Sequence, residues 1–193
     1  MSSNLKVNNI LPSTGNTVAL SGIASVTSSV SIGGTIVADG RLLIGIDTVH
    51  PIGDNPQFLL AGTDYRTALL GAQRFQNDAY GATIILAHSR NASDAGHTIL
   101  QDNDELGKIR FNGSDGVDFA GQGAEISANV DGTPSANNMP TSLRFKTTTS
   151  GVAPAERLRI SKEGAIGIGG ANYGTDGQVL TSQGAGQPVI WKT

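Results

Sequence analysis

From Leu106 onward the chain alternates apolar and polar side chains in short runs, each closed by turn-forming residues. Leu106, Ile109 and Phe111 lead into Gly113-Ser114-Asp115-Gly116, and Ala124, Ile126, Ala128 and Val130 lead into Asp131-Gly132-Thr133-Pro134. Leu143, Phe145 and Thr147 follow, then Leu158 with Ile160, then Ile166 with Ile168. A period of two puts successive side chains on opposite sides of a strand, so the pattern predicts strands with one apolar and one polar face. Gly, Asp, Asn and Pro between the runs supply the dihedrals that reverse the chain. Residues 104–169 therefore read as a compact antiparallel β unit.

Upstream of it, residues 58–61, 67–75 and 82–88 read as strands, broken at Gly62-Thr63-Asp64 and at Asn77-Asp78-Ala79-Tyr80-Gly81. A helix competes only over 67–75, where Gly71 tips the reading to strand. A polar loop at 89–96 and a short strand at 98–101 lead to an acidic turn at 102–105. The pattern G-x-[L/I]-x-I-G occurs as Gly40-Arg41-Leu42-Leu43-Ile44-Gly45 and again as Gly164-Ala165-Ile166-Gly167-Ile168-Gly169. These two short strands frame a body at 40–169. Beyond it, 170–193 offers only Val179-Leu180 and Val189-Ile190-Trp191 around a Gly-Ala-Gly turn. Residues 1–39 contain no aromatic side chain and space Val18, Leu20, Ile23, Val26, Val30, Ile32 and Ile36 among Ser, Thr, Asn and Gly. So thin an apolar line buries no core alone. Its regularity favours a shaft wound from identical copies over a flexible linker, with Pro12 and Gly15 marking a bend.

Composition sharpens this all-β reading. Of 193 residues 26 are Gly and only 15% are charged, against about 25% in an average soluble domain. Gly, Pro or β-branched clusters interrupt nearly every window long enough for a stable helix. The net charge of -3 supplies no basic field for nucleic acid or an anionic membrane. No apolar run approaches the ~20 residues of a membrane-spanning helix. The absence of cysteine removes disulfides, thiolate zinc sites and thiol nucleophiles. Met1-Ser2-Ser3-Asn4-Leu5-Lys6 has no basic run followed by an apolar one, so synthesis in the cytosol is expected.

Candidate chemistry is sparse. Asp102-Asn103-Asp104-Glu105 lacks the spacing of a calcium loop and reads as a solvated turn. Asp115, Asp118, Glu125, Asp131 and Glu156 could supply the facing carboxylates of a glycosidase, yet sequence cannot pair them. Asp115 and Asp131 sit in turns where Asp caps its own backbone, and Glu156 beside Arg157 and Arg159 reads as an ion pair. His50, His88 and His97 show no metal-ligand spacing, although His88 and His97 could meet across a hairpin. No phosphate-cradling glycine motif and no nucleophile elbow occurs. Lys108, Arg110, Arg144 and Lys146 fall opposite their apolar neighbours, as a solvated face or intersubunit ion pairs. Trp191, beside Val189 and Ile190, reads as a buried interface anchor. No catalytic, cofactor or metal site is implied, and the chain is not expected to be an enzyme.

An ordered series of motifs runs through the chain: Tyr80-Gly81, Ser89-Arg90, Thr98 to Gln101, Asp104-Glu105-Leu106-Gly107 and Ile109-x-Phe111-x-Gly113-x-Asp115-Gly116. It continues with Ile126, Val130-Asp131-Gly132-Thr133-Pro134, Met139-Pro140, Leu143-x-Phe145-x-Thr147-Thr148, Glu156-Arg157-x-Arg159-Ile160 and Gly164-x-x-Gly167-Ile168-Gly169. The late Gly174-Thr175-x-Gly177-Gln178-Val179-Leu180-Thr181-Ser182 and Trp191 complete it. Over half to two-thirds of its length the chain thus resembles a module of bacteriophage tail fibres and tailspikes, especially of marine and cyanobacterial phages.

The resemblance implies a homotrimeric virion structural protein, on a tail fibre or other surface appendage, that mediates host recognition and adsorption. The expected architecture is all-β: a thin intertwined β-shaft or virion-attachment segment at 1–39, a sandwich-like or prism-like body at 40–169, and an intertwined tail at 170–193. Its expected partners are its own copies, other tail or capsid proteins through the N-terminal segment, and host cell-surface polysaccharide. Neither nucleic acid nor membrane insertion is expected. Loops 89–96 and 134–140 are the expected receptor-facing ones, with Ser89, Arg90, Asn91, Ser93, Asp94, Asn137 and Asn138 as candidate contacts. A scaffolding or decoration fibre and a glycan-degrading spike are the alternatives.

Overall fold

The computed structural model describes residues 42–44, 52, 56, 58–64, 66–93, 95–150 and 153–193. The chain divides into two units, Met1–Asp39 and Gly40–Thr193. The readings for 1–39, for Gly40 and Gly45, and for His50 lie outside the described residues.

The second unit is all-β, with no helix among the described residues. Two short strands, β1 (Leu42–Ile44) and β2 (Phe58–Leu60), pair in parallel, Leu42 opposite Phe58 and Ile44 opposite Leu60. The main element is a five-stranded antiparallel meander in the order β3-β4-β5-β6-β7. Its strands are β3 (Glu105–Gly113), β4 (Gly121–Val130), β5 (Thr141–Thr147), β6 (Ala155–Ile160) and β7 (Ile166–Ile168). A last antiparallel pair joins β8 (Val179–Thr181) to β9 (Ile190–Lys192).

The alternation read from sequence becomes a set of rows crossing the whole meander. Ile109, Ile126, Phe145, Leu158 and Ile168 are successive cross-strand partners, one from each strand. The row of Gly107, Ala128, Leu143, Ile160 and Ile166 is equally apolar, as is Phe111 with Ala124. Between these lie the polar rows, Lys108-Ser127-Arg144-Arg159-Gly167 and Arg110-Glu125-Lys146-Glu156. Directly opposed residues share a face, so one side of the sheet is apolar and the other is charged.

The two faces are covered in the reverse of the usual order. On the polar side Ser127, Ser142, Glu125 and Asn129 are buried. Long cationic side chains span it in ion pairs: Lys146 Nζ lies 2.6 Å from Glu125 Oε1, and Arg159 Nε 2.5 Å from Glu156 Oε1. A register shift between Phe145 and Lys146 makes Arg157 an extra residue of β6. That shift returns Glu156 and Arg159 to one face although they are three apart. Of the basic residues read as a solvated face or intersubunit partners, Lys146 and, at 3.9 Å from Glu156, Arg144 are therefore matched inside the chain. The apolar side is open: Ile109 and Phe111 are each 54% exposed, and Leu143, Ile160 and Ile166 are exposed too. Among the described residues the buried apolar side chains are Leu100, Val130 and Pro134.

One set of sequence expectations changes here. Residues 67–75, 82–88 and 98–101 are not strands; they join no ladder within the chain. Among the described residues the body holds a five-stranded sheet and the two-stranded β1–β2 pair. Trp191 finds a partner in its own chain: its Nε1 donates to the Asn172 carbonyl at 3.0 Å, and its ring lies over Gly174. A Cβ at position 174 would come within 2.8 Å of that ring, and the φ of +71° there also requires glycine.

Candidate functional site

At one end of the meander the segments flanking β3, β4 and β5 converge. Three carboxylates build this end. Asp104 accepts hydrogen bonds from Arg90 Nη2 at 2.8 Å, Arg90 Nε at 2.5 Å and the Gln101 N–H at 2.7 Å. Asp102 accepts from the Gly132 N–H at 2.7 Å, and Asp131 from the Lys162 N–H at 3.0 Å. The acidic turn at 102–105, exposed at Asp102 and Asn103 as read from sequence, thus also latches neighbouring turns together. Asp131 ties its turn to the one after β6 instead of capping its own. Asp115 does cap its own turn, accepting from the Val117 and Asp118 N–H groups at 2.9 and 3.2 Å, and these donors lower its pKa. The Arg90 guanidinium, then the Gln101 N–H, holds the Asp104 carboxyl far below the usual carboxylate range.

Loop 89–98 is folded around one hydroxyl. Ser89 Oγ donates to the Gly96 carbonyl at 3.0 Å and accepts from the Asn91 and Thr98 N–H groups at 3.2 and 3.0 Å. Asn91 Oδ1 accepts from the Ser93 N–H at 2.8 Å while its Nδ2 donates to Thr98 Oγ1 at 3.0 Å. Across from it, Ser135 and Asn138 exchange both main-chain hydrogen bonds at 3.0 Å. That tight turn places Asn137 at a φ of +59°, a conformation Asn tolerates better than most residues.

Between these two loops lies an open cleft of about 530 Å³ lined by His88, His97, Thr98, Ile99, Ser135 and Met139, with Ser89, Leu100 and Ala136. His88 Nδ1 stands 2.8 Å from the Glu105 carbonyl. A carbonyl can only accept, so Nδ1 carries the proton and Nε2 of the neutral ring is an acceptor. The lining offers hydroxyls and imidazoles around an apolar base of Ile99, Leu100 and Met139, and it contains no carboxylate.

The structure thus brings the two loops singled out from sequence to one cleft, but redistributes their residues. Of the candidates, Ser89 lines it as a structural hub, and Arg90 and Asn91 are engaged in holding the loop. Ser93, Asn137 and Asn138 are exposed at the rims, and Asp94 lies outside the described residues. His88, His97, Thr98, Ile99 and Met139 were not singled out as contacts. The signal for them was present, since the two histidines bracket loop 89–96 and Met139-Pro140 closes the facing turn. A second hollow of about 360 Å³ is lined by Ile52, Arg110, Asn112 and Phe119. Asn112 there donates to the carbonyls of Ile52 and Phe119 at 3.1 and 3.0 Å. Among the described residues no group of three or more His, Asp or Glu side chains is placed to hold a metal ion.

Neither a family model nor a curated protein matches this chain.

Proposed function

We propose that the chain is a virion structural protein, the subunit of a homotrimeric phage tail fibre or spike that engages the host surface. The observation that carries this reading is the open apolar face of the meander, combined with a buried apolar core as small as Leu100, Val130 and Pro134 among the described residues. A sheet with one apolar side needs a second layer. Here the polar side is already occupied by the chain's own ion pairs, so the missing layer belongs on the other side. Three copies related by a three-fold axis would supply it, turning three single sheets into the prism that the phage-fibre resemblance implies.

The adhesive part of the proposal rests on the cleft between loops 89–98 and 134–140. Hydroxyl and imidazole groups around an apolar base suit a sugar ring, which presents hydroxyls at its edge and C–H groups on its faces. A shallow cleft binds one sugar weakly, and repetition in a trimer raises the avidity. Light scattering on the intact chain should give a mass three times the 19.8 kDa of one chain; a stable monomer would sink the proposal. Binding to host cell-surface polysaccharide should weaken several-fold in His97→Ala and in Met139→Ala with the trimer mass unchanged. Unaltered binding in both would remove the adhesive role.

A further inference from the structure

Residues 67–88 lie outside every strand ladder among the described residues and carry a dense run of exposed apolar side chains. Phe75 is 89% exposed, Tyr80 80%, Ile85 80% and Leu70 76%, with Leu69 and Ile84 also well exposed. The segment is nevertheless built. Arg74 forms a two-pronged ion pair with Asp78, at 2.5 and 2.6 Å, and donates to the Tyr80 carbonyl at 2.8 Å, while the Tyr80 N–H returns to Asp78 at 3.0 Å. These bonds make a fixed elbow between two extended runs. At its C-terminal end the segment is anchored: Leu86 rests on Gly107 of β3, and His88 bonds the Glu105 carbonyl.

We propose that residues 67–86 form an arm that lies across the open apolar face of the β3–β7 sheet in a second copy of the chain. The inference rests on the homotrimer reading and specifies how its interface is made. Reach permits it: six extended residues, 81–86, span about 20 Å, close to the ~19 Å across five strands. Area permits it as well. The arm's apolar side chains together with Ile109, Phe111, Leu143, Ile160 and Ile166 would bury on the order of 1,500 Å², the size of a standard specific interface. The occupant follows from stoichiometry. Among the described residues each chain has one such arm and one such face, both exposed, so a cyclic head-to-tail assembly uses every arm and every face. An unrelated partner would cover one and leave the other exposed. Leu86 on Gly107 fixes where the arm leaves its own sheet, at the outer strand β3 and therefore toward a neighbour.

The lack of cysteine makes the test direct. Ile85→Cys and Leu143→Cys, each in an otherwise intact chain and one carrying a size tag, are co-assembled and treated with a short bis-maleimide. Light scattering on the same sample reports the assembly. A trimer that yields the mixed tagged–untagged product supports the arm exchange. A trimer without that product, or a double variant linked only within one chain, overturns the exchange and leaves the trimer standing. A monomer overturns both. As a second reading, Ile84→Asp with Ile85→Asp should abolish the trimer, and an unchanged assembly refutes the arm.

Discussion

Gly107 offers a test in which two ordinary effects have opposite signs. Glycine within a strand is worse than alanine by about 0.5–1 kcal/mol, because the unfolded chain is freer. Gly107→Ala would therefore stabilise the protein if backbone entropy were all that mattered. A Cβ at 107, however, would sit 2.6 Å from Leu86 Cβ and 3.1 Å from Leu86 Cδ1, where carbon atoms prefer about 3.5–4.0 Å. The nearest contact is a Cβ, one bond from the main chain, so no rotamer change relieves it and the backbone at 86 must move by about 1 Å. Overpacking of this kind costs about 1–3 kcal/mol, which outweighs the entropic gain. The expected result is a melting temperature lower by roughly 2–6 °C at fixed chain concentration, with faster amide exchange over 82–88. Gly113→Ala is the matched control: it lies on the same strand, has nothing within 4 Å of a new Cβ, and should be neutral or stabilising. Leu86→Gly should suppress the defect, giving a coupling of about 1 kcal/mol in the double-mutant cycle. Gly107→Ala as stable as Gly113→Ala would refute the claim that Leu86 is seated on β3.

Two further outcomes follow from the charged groups. The Asp104 carboxyl has its pKa lowered chiefly by Arg90, so its contribution is complete above the unfolded value of about 3.9 and is lost as pH falls below it toward the folded one. Asp104→Asn should loosen loop 89–98 at neutral pH and flatten the acid limb of the melting curve below about pH 4; an unchanged limb would count against the latch. Glu125 is pushed up by its burial, but the Lys146 hydrogen bond and charge outweigh this and leave its pKa lowered. Lys146→Met leaves that buried carboxylate without its cation and should cost about 2–3 kcal/mol in urea unfolding, of which adding Glu125→Gln restores more than half; no restoration would mean the loss is one of packing.

Much of the sheet was legible in the sequence because its two faces differ in kind. Ile109, Ile126, Phe145, Leu158 and Ile168 sit at alternate positions with turn residues between the runs, and each fell on the expected strand. Residues 67–75 and 82–88 were as apolar and β-branched as those runs, yet are not strands. The difference lies in pairing: a local sequence can favour an extended backbone, but a ladder needs a partner at the right register, and none lies among the described residues. The extra residue at Arg157 was also invisible, because alternation assumes an unbroken period of two. At the cleft the sequence marked both loops but could not distinguish residues that hold them from residues that line the gap. Ser89, Arg90 and Asn91 look receptor-facing by composition, and their hydrogen bonds show that they also brace the loop.

The inside-out burial of the meander also bears on how assembly and adhesion can share one small chain. Covering the open apolar face as proposed would involve Ile109, Phe111, Ile126, Leu143, Phe145, Ile160 and Ile166, all within strands. The cleft is lined from 88–100 and 135–139, all in segments between strands at one end of the sheet. The two sets have no residue in common, so a partner on the face leaves the cleft residues free to diverge. Strand positions are then constrained by a neighbour's packing, whereas loop positions are constrained only by the braces at Ser89, Asp102, Asp104 and Asp131. On the proposed reading such a fibre would change what it binds without changing how it assembles, because braces fix the loop backbones while every lining side chain except the buried Leu100 stays outside the core and the proposed interface.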